Sequence, residues 1–144
     1  MDRCAVAFQL HQERNNCAQA VAGAFSDLTD LSQEQIIGMA AGFGSGVGRS
    51  REELCGSISG GVLTLGLLFP RDKRKCVALS KEFRQRFKDV FGTTICHELL
   101  TARPGLSEKT QAANRLNATR HCDIMVVTAV ELLEELLREE EAQV

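Results

Sequence analysis

The chain has no tryptophan and no tyrosine, and its seven phenylalanines are its whole aromatic content. Few side chains are therefore available on which nucleic-acid bases could stack. A formal net charge of -2 over 144 residues, with basic residues scattered apart from a short run at 71–75, gives no electrostatic reason to expect nucleic acid as a partner. No stretch approaches the roughly 18 to 20 consecutive apolar residues that span a membrane. Met1-Asp2-Arg3-Cys4 lacks the charged region and apolar run of a secretory signal, so the expected location is cytoplasmic. No C-x-x-C occurs, which leaves a thioredoxin-type pair and a zinc ribbon unsupported, and without C-x-x-C-H covalent haem attachment is not expected either. There is no acid–base pair, triad or nucleotide motif that would name a substrate.

What is present is an ordinary globular composition, 44% hydrophobic and 25% charged, long enough to bury a core in one domain spanning residues 1–144. Strand signals are weak and helix-period patterns dominate. The spacing predicts helices at about 3–12, 16–26, from Ser32 into the 36–40 stripe, 52–68, 72–91, a short one from about 94, and 120–140. Ser32 with Gln35 three residues on forms a capping box, Pro70 stops the fourth helix, and Gly92 ends the fifth. Inward stripes are expected from Cys4, Phe8 and His11; from Cys17, Val21, Ala24, Phe25 and Leu28; and from Ile36, Ile37, Met39 and Ala40. The fifth helix offers Cys76, Leu79, Phe83, Phe87, Val90 and Phe91. The last offers Cys122, Met125, Val126, Ala129, Val130, Leu133 and Leu137. Pro104-Gly105 forces a turn and Ser107-Glu108-Lys109-Thr110 opens a weakly periodic polar segment. The expected fold is all-α, a single compact bundle-like domain of about six to seven helices.

Six cysteines in a reducing compartment favour metal binding or redox chemistry over structural disulfides. Cys4 and Cys76 sit mid-stripe and read as small buried hydrophobes. Cys17, Cys55, Cys96 and Cys122 share another context, each near a predicted helix start and each leading an apolar stripe. Asn16 is a strong N-cap for the first of these helices, and a threonine of Gly92-Thr93-Thr94 caps the helix carrying Cys96. The first turn of a helix offers unpaired amides and a partial positive charge, which favour thiolate over thiol. Thiolate is both the nucleophile and the metal ligand. The alternative is that small residues stand at helix starts by chance.

Gly42-Phe43-Gly44-Ser45-Gly46-Val47-Gly48 is expected to be a loop. It fails as a Walker motif, with three residues between Gly44 and Gly48 and Arg49 in place of lysine. It fails as G-x-G-x-x-G because Val47 and Arg49 hold the third-glycine positions. Gly44, Gly46 and Gly48 are instead expected to let backbone amides approach the cysteines, with Gly56, Gly60 and Gly61 marking close helix contacts. His97 and His121 flank two of the cysteines as candidate ligands or proton donors. Adjacent helix positions point about 100° apart, which argues against either sharing a metal with its neighbour. The acidic run 131–141 reads as a solvated face, its leucine rows available to a partner helix.

These stretches resemble the C-GCAxxG-C-C family of redox-active proteins. The residues that carry the resemblance are Asn16-Cys17-Ala18-Gln19-Ala20-Val21, the glycine loop through Arg49, Cys55-Gly56-Ser57-Ile58-Ser59-Gly60-Gly61, Gly92-Thr93-Thr94-Ile95-Cys96-His97-Glu98-Leu99-Leu100, and Cys122. Ser57 stands where the family name has alanine, Cys55-Gly56 replaces Gly-Cys, and Arg14-Asn15 replace a glycine and an aromatic. The resemblance implies a helical protein whose four signature cysteines serve redox or metal chemistry. Four thiolates suit an iron–sulfur cluster or tetrahedral zinc, and in pairs they would cycle between dithiol and disulfide without a metal. An activity at such a site would be that of an oxidoreductase. A redox partner protein or a homo-oligomer is compatible with this reading, with neither nucleic acid nor membrane expected. The competing reading is a non-catalytic helical interaction or scaffold protein whose cysteines are only packed.

Overall fold

The computed structural model describes residues 1–101 and 110–143. Among the described residues eight α-helices carry the fold: α1 (Arg3–Gln12), α2 (Cys17–Gly23), α3 (Gln33–Ala40), α4 (Gly56–Leu68), α5 (Lys73–Phe91), α6 (Cys96–Thr101), α7 (Gln111–Arg115) and α8 (His121–Ala142). Short 3₁₀ turns follow α2 and α3. Among the described residues the extended backbone that pairs is a lone antiparallel bridge between Leu54 and Ile95. The expected turn at Pro104-Gly105 and the start at Ser107 lie outside the described residues.

Local chemistry accounts for most boundaries. Asp2 accepts from the Ala5 amide at the start of α1. Asn16 with Gln19 and Ser32 with Gln35 form reciprocal capping boxes on α2 and α3, and Asp72 caps α5 through the Lys75 amide. Gly92 ends α5 with φ 86, a left-handed conformation that glycine adopts without a Cβ penalty.

α8 runs through the middle of the packing. Its residues Met125, Val126, Ala129, Val130 and Leu133 join Phe25, Ile58, Leu65, Phe83 and Phe87 in one continuous core. α1, α2, α4, α5 and α7 all pack on it. A smaller cluster of Ala18, Ala22, Ile36 and Ala40 seats α3 against α2.

Several expectations need correction. α2 stops at Gly23 and the chain turns, so Leu28 stands 50% exposed rather than on the buried stripe. Met39 is also exposed, and α3 buries only Ile36 and Ala40. The fourth helix begins at Gly56 rather than near residue 52, because 53–55 is extended against 94–96. Leu132 and Leu136 are buried in the chain's own core instead of being held for a partner helix. Two carboxylates of the acidic run bind α5, through Arg86–Glu139 and Lys75–Glu140 pairs.

Candidate functional site: a four-thiol chamber

Cys17, Cys55, Cys96 and Cys122, scattered over more than a hundred positions of sequence, line one cavity of about 110 Å³. Ser45, Arg51, Ser57, Leu99, Leu100 and Met125 complete its wall. All four are free thiols in this structure.

Backbone geometry brings them together in two steps. α2 and α4 cross at van der Waals distance because small residues face each other there. A Cβ on Gly60 would lie 2.6 Å from the Ala18 carbonyl oxygen, and one on Gly56 would overlap the Cys17 sulfur. Cys17, the first residue of α2, thereby comes against Cys55 at the cap of α4. The extended bridge does the rest. Cys55 N donates to Thr94 O at 2.8 Å and Cys96 N to Glu53 O at 2.9 Å, which sets the start of α6 beside the start of α4. Cys122 closes the chamber from the first turn of α8.

The glycine stretch folds into a left-handed turn. Ser45, Gly46, Val47, Gly48 and Arg49 take φ values of 53, 70, 65, 60 and 63° in succession, and Arg51 repeats it at 63°. Each non-glycine residue held there costs about 1–2 kcal/mol, so surrounding contacts must impose the shape. They are visible: Arg51 N donates to Ser45 O at 2.8 Å, His97 N donates to Arg51 O at 2.7 Å, and the Asn16 amide donates to Ala41 O at 2.9 Å. Gly44 has no room for a Cβ against Asn16, and one on Gly46 would sit 2.9 Å from the Cys96 Cβ. Gly44, Gly46 and Gly56 are thus places of close approach, whereas Gly48 has open space around it.

The strained turn delivers an amide to sulfur. The Cys17 thiol is pulled down to about 6, first by the Cys55 thiol hydrogen-bonding to it, then by the Ser45 and Ala18 amides and the positive potential of His11, all working against burial. The amide that the glycine loop brings to sulfur, that of Ser45, reaches Cys17, while Cys55 takes the Ser57 amide. The other three thiols shift the opposite way. Cys55 is raised by its hydrogen bond to Cys17 and by burial, and Cys96 by burial and the Cys17 charge. Cys122 is pushed up to about 11 by burial, with the nearby Cys17 and Cys96 charges adding. A helix start therefore does not suffice to ionise a thiol. Desolvation outweighs it, and one thiolate in a shared chamber opposes a second.

Sequence reading left His11 unexplained on an apolar stripe. In the structure its Nδ1 lies 2.5 Å from Oδ1 of Asp123, a buried carboxylate at the start of α8 that also accepts from the Gln12 amide at 3.2 Å. The pair ties the end of α1 to α8 and leaves His11 close enough to lower the Cys17 pKa and in the same cavity wall as Cys122. Nothing in the local pattern pairs position 11 with position 123; an aspartate directly after Cys122 is the one clue that the sequence offers. His121 lies at a second cavity beside Cys122, while His97 is exposed and lines neither. Cys4, buried with its sulfur 3.6 Å from Val127 O, is pushed up to about 12 by burial, and Cys76 packs at the core's edge. Both are placed as packing residues.

Among the described residues no three Cys, His, Asp or Glu side chains stand together in a way that could hold a metal ion. Cys17, Cys55, Cys96 and Cys122 are nevertheless the donors that tetrahedral zinc or a cluster would take.

One family model, described as "Putative redox-active protein (C_GCAxxG_C_C)", matches residues 15–136, which include all four chamber cysteines and exclude Cys4. Comparisons with curated proteins and with solved structures gave no match.

Proposed function

The chain belongs to the C_GCAxxG_C_C family of redox-active proteins, and from that premise we propose that the chamber is a dithiol–disulfide redox centre built on Cys17. The observation that supports this most is the contact between an acidified Cys17 and the protonated Cys55 within a cavity walled by two further thiols. In the reduced state Cys17 is the resident thiolate and Cys55 the thiol that hydrogen-bonds to it. Oxidation joins the two sulfurs, and two electrons with the Cys55 proton leave to an acceptor. Thiolate fraction and the pKa of the leaving thiol set the rate of such exchange. Cys17 is favoured on both counts. Leu99, Leu100 and Met125 keep the chamber's inner wall apolar, which limits water at the sulfurs.

The test is mass spectrometry on protein oxidised at low concentration and digested in acid. The expected product is a monomer with a Cys17–Cys55 cross-link, opened by dithiol reductant and absent from Cys17→Ser. Metal and acid-labile sulfide are measured in parallel on protein purified without oxygen. Near-equal iron and sulfide, lost on Cys55→Ala or Cys96→Ala, would replace the dithiol reading with a cluster. Thiols that never pair, with cysteine changes costing only stability, would leave a helical interaction protein.

A further inference from the structure

Beside the chamber lies a second cavity of about 480 Å³, and among the described residues Cys122 is the one that lines both. The outer cavity is walled by Arg14, Arg120, His11, His121 and Gln12, with Asp123 beneath. Its one carboxylate is already taken by His11 and Gln12. No ion pair among the described residues involves Arg14 or Arg120, and the buried Nδ1 of His121 has no hydrogen-bond partner. The wall is therefore cationic, with uncommitted guanidinium donors, and its volume is that of a small-molecule site. Guanidinium forks match carboxylate and similar oxyanions.

We infer that the outer cavity binds a small acidic thiol, one carrying a carboxylate or equivalent oxyanion, which exchanges electrons with the chamber through Cys122. The inference rests on the dithiol reading and names its reductant. With the centre oxidised as a Cys17–Cys122 disulfide, the bound thiolate attacks the Cys122 sulfur from the outer side. The S–S bond breaks, and Cys17 leaves with the electron pair as a thiolate. A second acidic thiolate attacks the mixed disulfide at the ligand's sulfur, and Cys122 leaves and takes up a proton. Two small thiols become one small disulfide, and the protein disulfide becomes two thiols. Attack on Cys122 expels the more acidic sulfur, which is the faster route. The Cys17–Cys122 disulfide arises from the Cys17–Cys55 one by internal exchange: the Cys122 thiolate attacks the Cys17 sulfur, and Cys55 leaves with the electron pair and takes up the proton that Cys122 gave up, all three lining the chamber.

The experiment uses three thiols of like size and different charge: 2-mercaptoethanesulfonate, 2-mercaptoethanol and cysteamine. Reduction of the oxidised full chain is timed with each at equal thiolate concentration, and acid quenching traps the mixed disulfide for mapping. The expected order is anionic, then neutral, then cationic. In the Arg14→Gln/Arg120→Gln protein the anionic-to-neutral rate ratio should fall by about tenfold, the lower end of what electrostatic focusing in a charged cleft supplies. The trapped adduct should sit on Cys122. An adduct on another cysteine, or a ratio that the double substitution leaves alone, overturns the inference while the dithiol centre stands. Protein that forms no internal disulfide at all overturns both.

Discussion

Cys17 and Cys55 are neighbours with opposite shifts, and the same hydrogen bond accounts for both. Its donor, the Cys55 thiol, lowers one pKa by stabilising the thiolate and raises the other by having to stay protonated. Because the Cys17 value lies near about 6, its thiolate fraction is nearly complete at neutral pH and falls as pH drops through that value. The rate of alkylation of Cys17 by iodoacetamide, followed by peptide mass from pH 5 to 9 at roughly even steps across the ordinary thiol range, should show a midpoint near 6. Cys55→Ala removes the largest cause and should move the midpoint upward, so that reactivity at pH 6 drops. A midpoint unchanged in that variant would assign the acidification to the Ser45 and Ala18 amides instead. At this scale the sequence was partly legible. Cys17 is marked by its Asn16 cap and all four thiols by apolar spacing, but which of them ionises depends on a partner thirty-eight positions away, Cys17 to Cys55, and no local pattern encodes that.

Helix packing makes the glycines unequal. Gly60 and Gly66 both lie within α4, yet a Cβ on Gly60 would meet Ala18 backbone at 2.6 Å while one on Gly66 meets nothing within 4 Å. Gly66→Ala should raise stability by about 0.5–1 kcal/mol through helix propensity. Gly60→Ala should lower it by about 1–3 kcal/mol through overpacking, and should slow Cys17–Cys55 cross-linking because α2 is pushed from α4. Paired urea titrations read the first effect and disulfide formation the second. The His11–Asp123 contact is similarly a joint between elements. His11→Ala leaves the buried Asp123 with only the Gln12 amide and should cost about 1–3 kcal/mol, the penalty of an under-satisfied buried acceptor. That loss is measured by the same titration. Most helices are readable from periodicity and caps, with α1 and α5 the clearest cases, whereas α7 falls in a stretch whose sequence is only polar and weakly periodic. The start of α4 lies later than the sequence suggests because hydrogen bonds to 94–96 draw the backbone of 53–55 out straight, a long-range pairing that no local pattern encodes.

For the whole molecule, the redox state and the stability are coupled. A Cys17–Cys55 disulfide would close a loop that contains α3 and the left-handed turn. Closing loops of this kind typically stabilises by about 2–4 kcal/mol through the unfolded chain. Oxidised protein should therefore melt at a higher temperature than reduced protein, and the difference should vanish in Cys17→Ser. Differential scanning calorimetry on both states checks this. An oxidised form that melts lower would mean that forming the bond strains the chamber.

The low pKa of Cys17 is assembled from a thiol on α4, an amide in a left-handed turn and a histidine on α1, and each arrives only when its element docks. A nascent or heat-opened chain lacks all three, so its six cysteines carry the sluggish, mostly protonated thiols of an unstructured peptide. Chemical competence then emerges with the final docking. While the ribosome is still extending the polypeptide, its thiols resist premature oxidation, and a damaged copy that loosens loses its reactivity along with its shape.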